Sequence, residues 1–313
     1  MADKIATREA YGKALAEFSE KYDIVVMDAD LAEATKTGIF KKACPEKFID
    51  CGIAEGNMMS TAAGLASCGK TVFASSFAMF AAGRAFEQIR NSVCYPNLNV
   101  KIGATHGGIS VGEDGATHQC LEDIGIMRTI PNMVVINPAD AVEARAAVEA
   151  AIKHDGPVYL RFCRLATDVM FDQDTFKFEI GKGITLKDGA DVTIIANGLM
   201  VEKALDAEKL LAEEGISARV IDMHTVKPID KELVLKAAAE TGAIVTAEEH
   251  NIYGGLGSAV AEVVCEGAPV PVLRVGTEDK FGKSGKPAEL FEMYGLTAEN
   301  IAKKAKCAIA LKK

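Results

Sequence analysis

Residues 100–119 read VKIGATHGGISVGEDGATHQ, a short apolar run that leads directly into a long polar loop. Other apolar runs of similar length lie on either side of it, and Ala-rich stretches with helical spacing separate them. Continuous apolar strands that alternate with helices are typical of a parallel sheet covered on both faces. We therefore predict an α/β fold with strands at residues 23–27, 70–74, 100–104, 133–136 and 158–162.

The stretches between these strands predict helices at residues 56–67, 83–93 and 139–153. The last helix is expected to use Asn137 as its cap, with Pro138 in the first turn, where its missing N–H costs nothing. Residues 1–15 carry charges of both signs and also predict a helix.

A polar, Gly-containing segment at residues 170–191 interrupts this alternation and predicts a linker with one hairpin. A second, shorter series of alternating strands and helices follows it. We predict two domains, each a mostly parallel sheet flanked by helices: residues 1–168 and 191–313, joined by a linker at 169–190.

The composition excludes several classes of protein. The chain has 313 residues, 49% of them hydrophobic, and a formal net charge of −9, which argues against nucleic-acid binding. No run approaches the roughly 18 apolar residues of a membrane span, and the first residues lack the apolar core of a secretory signal. The eight cysteines form no CxxC pair and no zinc-ligand spacing. We expect a cytoplasmic protein with reduced thiols and no metal ligands on this chain.

Glu55 lies near the start of a predicted helix, after a Gly turn that follows the strand pattern FIDC at residues 48–51. An acid in the first turn of a helix is ordinarily explained by the helix dipole, although the small apolar surroundings suggest that a ligand packs over this carboxylate. Phe77 and Phe80 are three residues apart and share one helix face. They serve either as ordinary core residues or as a flat platform for a ring-shaped ligand.

His106 and His118 flank the polar loop, which also contains Asp114. Loops at the carboxyl ends of parallel strands are where α/β proteins bind ligands. The spacing of these histidines matches no recognised metal-binding pattern, so we favour substrate contacts and proton transfer. Arg164 follows the strand pattern VYLRF and suits a carboxylate or phosphate, while a structural salt bridge explains it equally well.

In their order along the chain, these segments resemble the C-terminal half of transketolases. GIAEGNMMSTAAGLA (52–66) resembles the glutamate motif of that family, FASSFAMFAAG (73–83) its aromatic segment and THGGISVGEDGATHQ (105–119) its substrate loop. LRFCR (160–164) resembles a phosphate-binding arginine segment, and IDMHTVKPID, TAEEH and YGGLGSAV resemble parts of the last domain. The resemblance covers essentially the whole chain.

The resemblance implies an enzyme of the pentose phosphate pathway that transfers a two-carbon ketol unit from a ketose phosphate to an aldose phosphate. It implies thiamin diphosphate as the cofactor. Glu55 would hydrogen-bond the pyrimidine ring of the cofactor, Phe77 and Phe80 would form a wall against that ring, and Asp30 would lie near it.

The resemblance also implies substrate contacts. His106 and His118 would hydrogen-bond the sugar and assist proton transfer, Asp114 would bind a hydroxyl, and Arg164 would hold a distal phosphate. One departure concerns the segment after ADL, where transketolases carry a Ser-Asn pair that contacts phosphate and this chain has Ala32 and Glu33. Thr35 or Lys36 are the candidates to replace that contact.

Transketolases hold the diphosphate through a divalent ion bound by a GDG motif, which this sequence lacks. The resemblance therefore implies that Mg²⁺ (or Ca²⁺) is held by a separate N-terminal transketolase subunit. The two chains would share each active site, in an α₂β₂ assembly.

Two alternatives stay open at this point. One is the β subunit of another thiamin diphosphate enzyme, such as a 2-oxoacid dehydrogenase or a deoxyxylulose-phosphate synthase relative. The other is a non-catalytic paralogue that acts as a scaffold. The paired histidines favour a transketolase over the first, and the joint presence of Glu55, His106, Asp114 and His118 speaks against the second.

Overall fold

The structure is a computed structural model that describes residues 4–312, and it contains two α/β units. The strands are β1 (Lys4–Ala6), β2 (Ile24–Asp28), β3 (Phe48–Asp50), β4 (Thr71–Phe77), β5 (Val100–Thr105), β6 (Val134–Ile136), β7 (Val158–Arg161), β8 (Ala166–Asp168), β9 (Ile184–Lys187), β10 (Val192–Ala196), β11 (Ala218–Asp222), β12 (Thr225–Lys227), β13 (Ile244–Asn251) and β14 (Val272–Thr277).

The helices are α1 (Thr7–Phe18), α2 (Ala32–Thr35), α3 (Gly38–Ala43), α4 (Glu55–Ser67), α5 (Phe86–Gln88), α6 (Asp123–Arg128), α7 (Ala141–Lys153), α8 (Met200–Glu213), α9 (Lys231–Thr241), α10 (Leu256–Gly267), α11 (Pro287–Tyr294) and α12 (Ala298–Ala310). Short 3₁₀ segments cover Pro45–Lys47 and Ile109–Asp114, and π-helical turns cover Met79–Arg84 and Ile89–Cys94.

The first sheet has the strand order β12-β6-β7-β5-β4-β2-β3, and all its neighbours are parallel except β12 with β6. The second sheet has the order β14-β13-β10-β11-β9 and is parallel except for β9. Apolar side chains cover both faces of each sheet. The predicted α/β class with two mostly parallel sheets is therefore confirmed.

The edge strand β12 belongs by sequence to the second unit, yet it pairs with β6 of the first. It lies in the segment IDMHTVKPID, whose pattern does not reveal which sheet it joins. The two units thus share a sheet, in addition to their packed apolar interface.

The start of α7 corrects the predicted cap. Asp140, not Asn137, is the N-cap: its side chain accepts a hydrogen bond of 2.8 Å from the backbone N–H of Glu143. The backbone N–H of Asn137 donates instead to the carbonyl of His224 in the second unit, 2.8 Å away. Because this contact holds Asn137 outside the helix, α7 begins only at Ala141.

Three other local predictions were also wrong. The helix expected at residues 83–93 is built mainly from two π-helical turns that start at residue 79. Residues 4–6 of the expected N-terminal helix form β1, which pairs with β8, and residues 1–3 lie outside the described part of the chain. The linker forms no hairpin of its own, since β9 pairs with β11. In each case a distant partner strand or tight packing overrides the local pattern.

Within residues 4–312, no helix is both long and apolar enough to cross a membrane.

Gly103, in the middle of β5, leaves the space that the side chain of Tyr11 occupies. The hydroxyl of Tyr11 lies 2.6 Å from that of Ser75, and its ring stacks on Phe162 with centroids 4.6 Å apart. A Cβ at Gly103 would lie 2.1 Å from the Tyr11 hydroxyl oxygen. Only glycine therefore lets α1 pack against the sheet at this point.

Gly103→Ala should lower the free energy of unfolding by about 1–3 kcal/mol, because the added methyl group overpacks the core. The matched control is Gly64→Ala in the exposed face of α4, where an added Cβ meets nothing within 4 Å. There alanine should raise stability by about 0.5–1 kcal/mol through helix propensity. Chemical denaturation of both variants measures this, and equal stabilities would show that Gly103 is not sterically required.

Candidate active site

The predicted site residues follow neighbouring strands at one edge of the first sheet. Strands β3, β2, β4, β5 and β7 lie side by side and run parallel, so their carboxyl ends meet at that edge. Such an edge is where open α/β sheets bind ligands. The predicted site residues at or after these strand ends are Asp30, Glu55, Phe77, Phe80, His106, His118 and Arg164.

Glu55 is the first residue of α4, and only 1% of its side chain is exposed. Nη1 of Arg84 donates to both carboxylate oxygens, at 2.9 and 2.8 Å. The arginine side chain itself is half exposed, and its guanidinium lies over the ring of Phe80, 4.7 Å from the centroid. The partial positive charge of the helix N-terminus and the full charge of Arg84 together stabilise this carboxylate, which burial has removed from water.

Four rings form a continuous wall beside this carboxylate. Phe77 and Phe80 are nearly parallel, with centroids 5.9 Å apart and planes 12° apart. The imidazole of His106 stacks on Phe77 at 3.8 Å, and that of His118 meets Phe80 edge-on at 5.2 Å. Phe73, by contrast, is fully buried in the core beside Tyr11. The structure thus brings the predicted aromatic pair and both histidines together.

His106 is a neutral imidazole with a defined tautomer. Its Nε2 lies 3.1 Å from Nη1 of Arg8, and its Nδ1 lies 2.9 Å from the hydroxyl of Thr105. Because a guanidinium only donates, Nε2 must accept and Nδ1 carries the proton. Burial, and then the positive charges of Arg8 and Arg164, lower the pKa of His106 to about 3.

Positive charge collects around this imidazole. Arg8 donates to the carbonyl of Ala34, 2.8 Å away, while its Nε is buried without a hydrogen-bond partner in residues 4–312. Burial and the charge of Arg164 lower the pKa of Arg8. Arg164 donates to the carbonyl of Val111 and remains partly exposed, and Lys36 also acts on His106 through its charge. Clustered cations with an unpartnered buried N–H suit an anionic ligand.

Some predicted residues stand apart from this cluster. The Asp30 side chain is exposed, and its backbone has a left-handed φ of 62°. Asp114 is exposed and its side chain forms no hydrogen bond within residues 4–312. The hydroxyl of Thr35 donates to the buried carboxylate of Asp28, 2.7 Å away, so it is committed inside the fold. Of the two candidates for the missing phosphate contact, Lys36 is the one on the site.

Sequence reasoning missed Arg8 and Arg84. Arg84 directly follows the aromatic segment and is the one cation beside its mostly small, apolar residues. This isolated charge could have marked it as a candidate site residue. Arg8 sits in TREAYGKAL, whose charges look like those of any surface helix. No group of three or more His, Cys, Asp or Glu side chains in the described residues is arranged to hold a metal ion.

The two units match known domain families. Residues 3–169 match the model of the transketolase pyrimidine-binding domain, and residues 181–301 match that of the transketolase C-terminal domain. The fold and the site thus define a class: a pyrimidine-binding domain joined to a C-terminal α/β domain.

Relatives of similar length support the same assignment. A transketolase C-terminal section of Methanocaldococcus jannaschii is 52% identical, covering 95% of this chain and 94% of that protein. The 6-deoxy-6-sulfo-D-fructose transketolase subunit SqwH of a Clostridium species is 46% identical, covering 95% and 92%. A solved structure described as a split gene transketolase, inactive beta4 tetramer, is 55% identical with a TM-score of 0.93, covering 99% of this chain and all of that one. The chain belongs to the transketolase family.

Histidine titration tests the geometry around His106. Its pKa falls from an ordinary 6.5 to about 3, so the folded chain should keep it neutral from pH 8 to pH 5. Because the unfolded chain takes up this proton near pH 6.5, the residue should weaken folding progressively as the pH falls through that window. NMR of histidine-labelled protein, assigned with His106→Asn, measures the midpoint. A midpoint between pH 6 and 7 would contradict the buried, arginine-bound imidazole.

Proposed function

We propose that this subunit completes the active site of a thiamin diphosphate enzyme that moves a two-carbon ketol unit between sugar phosphates. The observation that carries the proposal is the buried Glu55 carboxylate beside the stacked Phe77 and Phe80 rings, with two imidazoles on the same wall. A scaffold protein needs none of these groups in this arrangement.

The residues present fit the pyrimidine half of the cofactor. A buried carboxylate and a flat aromatic surface suit a planar heterocycle with a ring nitrogen. Glu55 would hold a proton at N1′ of that ring, and Phe77 and Phe80 would fix the plane of the ring. When bound, thiamin diphosphate supplies a nucleophilic ring carbon and an electron sink for cleaving the C2–C3 bond of a ketose.

The two imidazoles of the wall, His106 and His118, would contact the substrate. His118 is partly exposed at the wall and would exchange hydrogen bonds with sugar oxygens. Both ring nitrogens of His106 are already hydrogen-bonded, to Arg8 and Thr105, so His106 would bind the sugar in place of one of these partners. Asp114 lies exposed on the same loop and would bind a hydroxyl. Arg164, supported by the unpartnered Nε of Arg8, would hold the anionic end of the sugar.

The partner subunit is the second part of the proposal. The transketolase family uses thiamin diphosphate with a divalent cation, and this sequence has no GDG motif. We infer that an N-terminal subunit holds Mg²⁺ or Ca²⁺ and the diphosphate, in an α₂β₂ enzyme. The relative described as an inactive beta4 tetramer supports a need for that partner. Eight free cysteines support a reducing, cytoplasmic setting.

The pathway and sugars belong to the same proposal. Ketose and aldose phosphates of the pentose phosphate pathway suit the cationic cluster, although a relative carries the name of a sulfo-sugar transketolase. The alternatives of a 2-oxoacid dehydrogenase or deoxyxylulose-phosphate synthase chain are not favoured, because similar chains over the full length are named transketolase subunits.

Glu55→Gln should lower kcat for ketol transfer by roughly 10²–10⁴-fold, because the amide cannot exchange a proton with the cofactor ring. The assay uses the chain co-expressed with its N-terminal partner, with Glu213→Gln on an exposed face of α8 as the matched control. Full activity of the Glu55 variant would remove the central residue of the proposal.

Arg164→Gln should raise KM for a phosphorylated ketose by roughly 10–100-fold, as expected for loss of one charge-assisted hydrogen bond. KM for an unphosphorylated ketose should change little, and Lys303→Gln on the exposed face of α12 serves as the control. Comparing a phosphorylated with a sulfonated ketose then identifies the preferred anion. Equal effects on charged and uncharged ketoses would contradict an anion-binding role.

A further inference from the structure

The segment TAEEH in β13 brings three consecutive polar side chains to the border between the two units. Glu248 accepts hydrogen bonds from the backbone N–H groups of Leu256 and Gly257, at 2.7 and 2.8 Å, and thereby caps α10. Glu249 and His250 instead reach the first unit. The Nε2 of His250 accepts from the N–H of Gly125 at 3.2 Å.

Glu249 contacts the polar loop directly. Its side chain is buried, and Oε1 accepts a hydrogen bond of 2.6 Å from the backbone N–H of Ser110. Ser110 lies between His106 and His118 in the sequence. A Cβ on Gly108 would lie 2.3 Å from the carboxyl carbon of Glu249, and the φ of Gly108 is 92°. Glycine is therefore required for the loop backbone to approach this carboxylate.

Arg161 holds the same loop from the other side. Its Nε donates to the carboxylate of Asp123 at 2.8 Å, and its Nη2 donates to the carbonyls of Cys120 and Glu249 at 3.2 and 2.9 Å. A Cβ on Gly107 would lie 2.6 Å from this Nε. Gly107 and Gly108 thus leave room just after His106. Arg161 of the first unit and Glu249 of the second unit pack against the loop backbone there.

The far end of the loop is attached in the same way. The Nε2 of Gln119 donates to the carbonyls of Ile109, Gly112 and Lys283, at 3.1, 3.2 and 2.9 Å. Lys283 belongs to the second unit. Burial raises the pKa of Glu249 to about 7, so its carboxylate changes charge close to neutral pH. An ionised carboxylate accepts an N–H more strongly than a neutral carboxyl does.

We propose that Glu249 is a positioning residue: through Ser110 it sets the conformation of the loop that carries His106 and His118 against the Phe77–Phe80 wall. The second unit thereby takes part in ketol transfer without touching the reacting atoms. The expected effect of Glu249 on catalysis rests on the proposed function, whereas its hydrogen bond to the loop does not.

The first test measures the loop in the isolated chain by hydrogen exchange. Glu249→Ala should speed amide exchange in residues 107–119 at least 10-fold, because the Ser110 N–H loses its acceptor. Glu249→Gln keeps an acceptor of the same shape and should exchange nearly like wild type. Glu248→Gln, next to it in sequence but directed at α10, is the matched control and should leave the loop unchanged. Wild-type exchange in Glu249→Ala overturns the proposal.

The second test uses the enzyme assembled with its partner. Glu249→Ala should lower kcat about 10–100-fold with unchanged affinity for thiamin diphosphate, and Glu249→Gln should restore most of it. Should the alanine variant not fold, Glu249→Asp, which withdraws the carboxylate, replaces it in both tests.

The outcomes separate the two proposals. Absence of ketol transfer in the wild-type assembly rejects the proposed function and leaves the exchange result to decide the loop contact. An active assembly in which Glu249→Ala and Glu248→Gln lose equal activity, with no rescue by Glu249→Gln, rejects the positioning role.

Discussion

Glu55 is a buried carboxylate at the start of a helix, so its negative charge has to be balanced by positive charge inside the fold. The site is organised around this requirement. The N-terminus of α4 supplies partial positive charge, and Arg84 supplies a full one. Because Arg84 also stacks on Phe80, the charge pair is attached to the aromatic wall. The opposite side of that wall carries Arg8 and Arg164 around a neutral His106. The site thus has a buried carboxylate at one end and a cluster of cations at the other.

The two units act as one framework for this site. Strand β12 of the second unit completes the sheet of the first, and Glu249 and the Lys283 carbonyl hold its loop. Between the units lie two further buried acids, Glu143 and Asp222. Burial, and then the charge of Asp140, raise the pKa of Asp222, and burial together with the charge of Asp222 raises that of Glu143, so this pair favours neutral carboxyls.

The proposed division of the active site between two chains would follow a physical boundary. A pyrimidine ring suits a buried carboxylate and aromatic rings, which this chain contains, whereas a diphosphate would need a divalent cation with oxygen ligands. These two requirements do not compete for the same residues.

The sequence by itself determined the α/β class and the approximate positions of the central strands along the chain, and it supplied the candidate site residues. Strand patterns and loop motifs are local, and parallel strands bring their carboxyl ends together without further information. Glu55, Phe77, Phe80, His106, His118 and Arg164 were predicted from such motifs together with the family resemblance, and the structure places them at one edge of the first sheet. Only the tertiary structure revealed the burial and charges that lower the pKa of His106, the contacts of Arg8, Arg84 and Glu249, the sheet that β12 joins and the cap of α7. Each of these depends on contacts between residues far apart in the chain, such as Ser110 with Glu249. No local pattern encodes which distant groups become neighbours, because burial and charge are properties of the packed molecule.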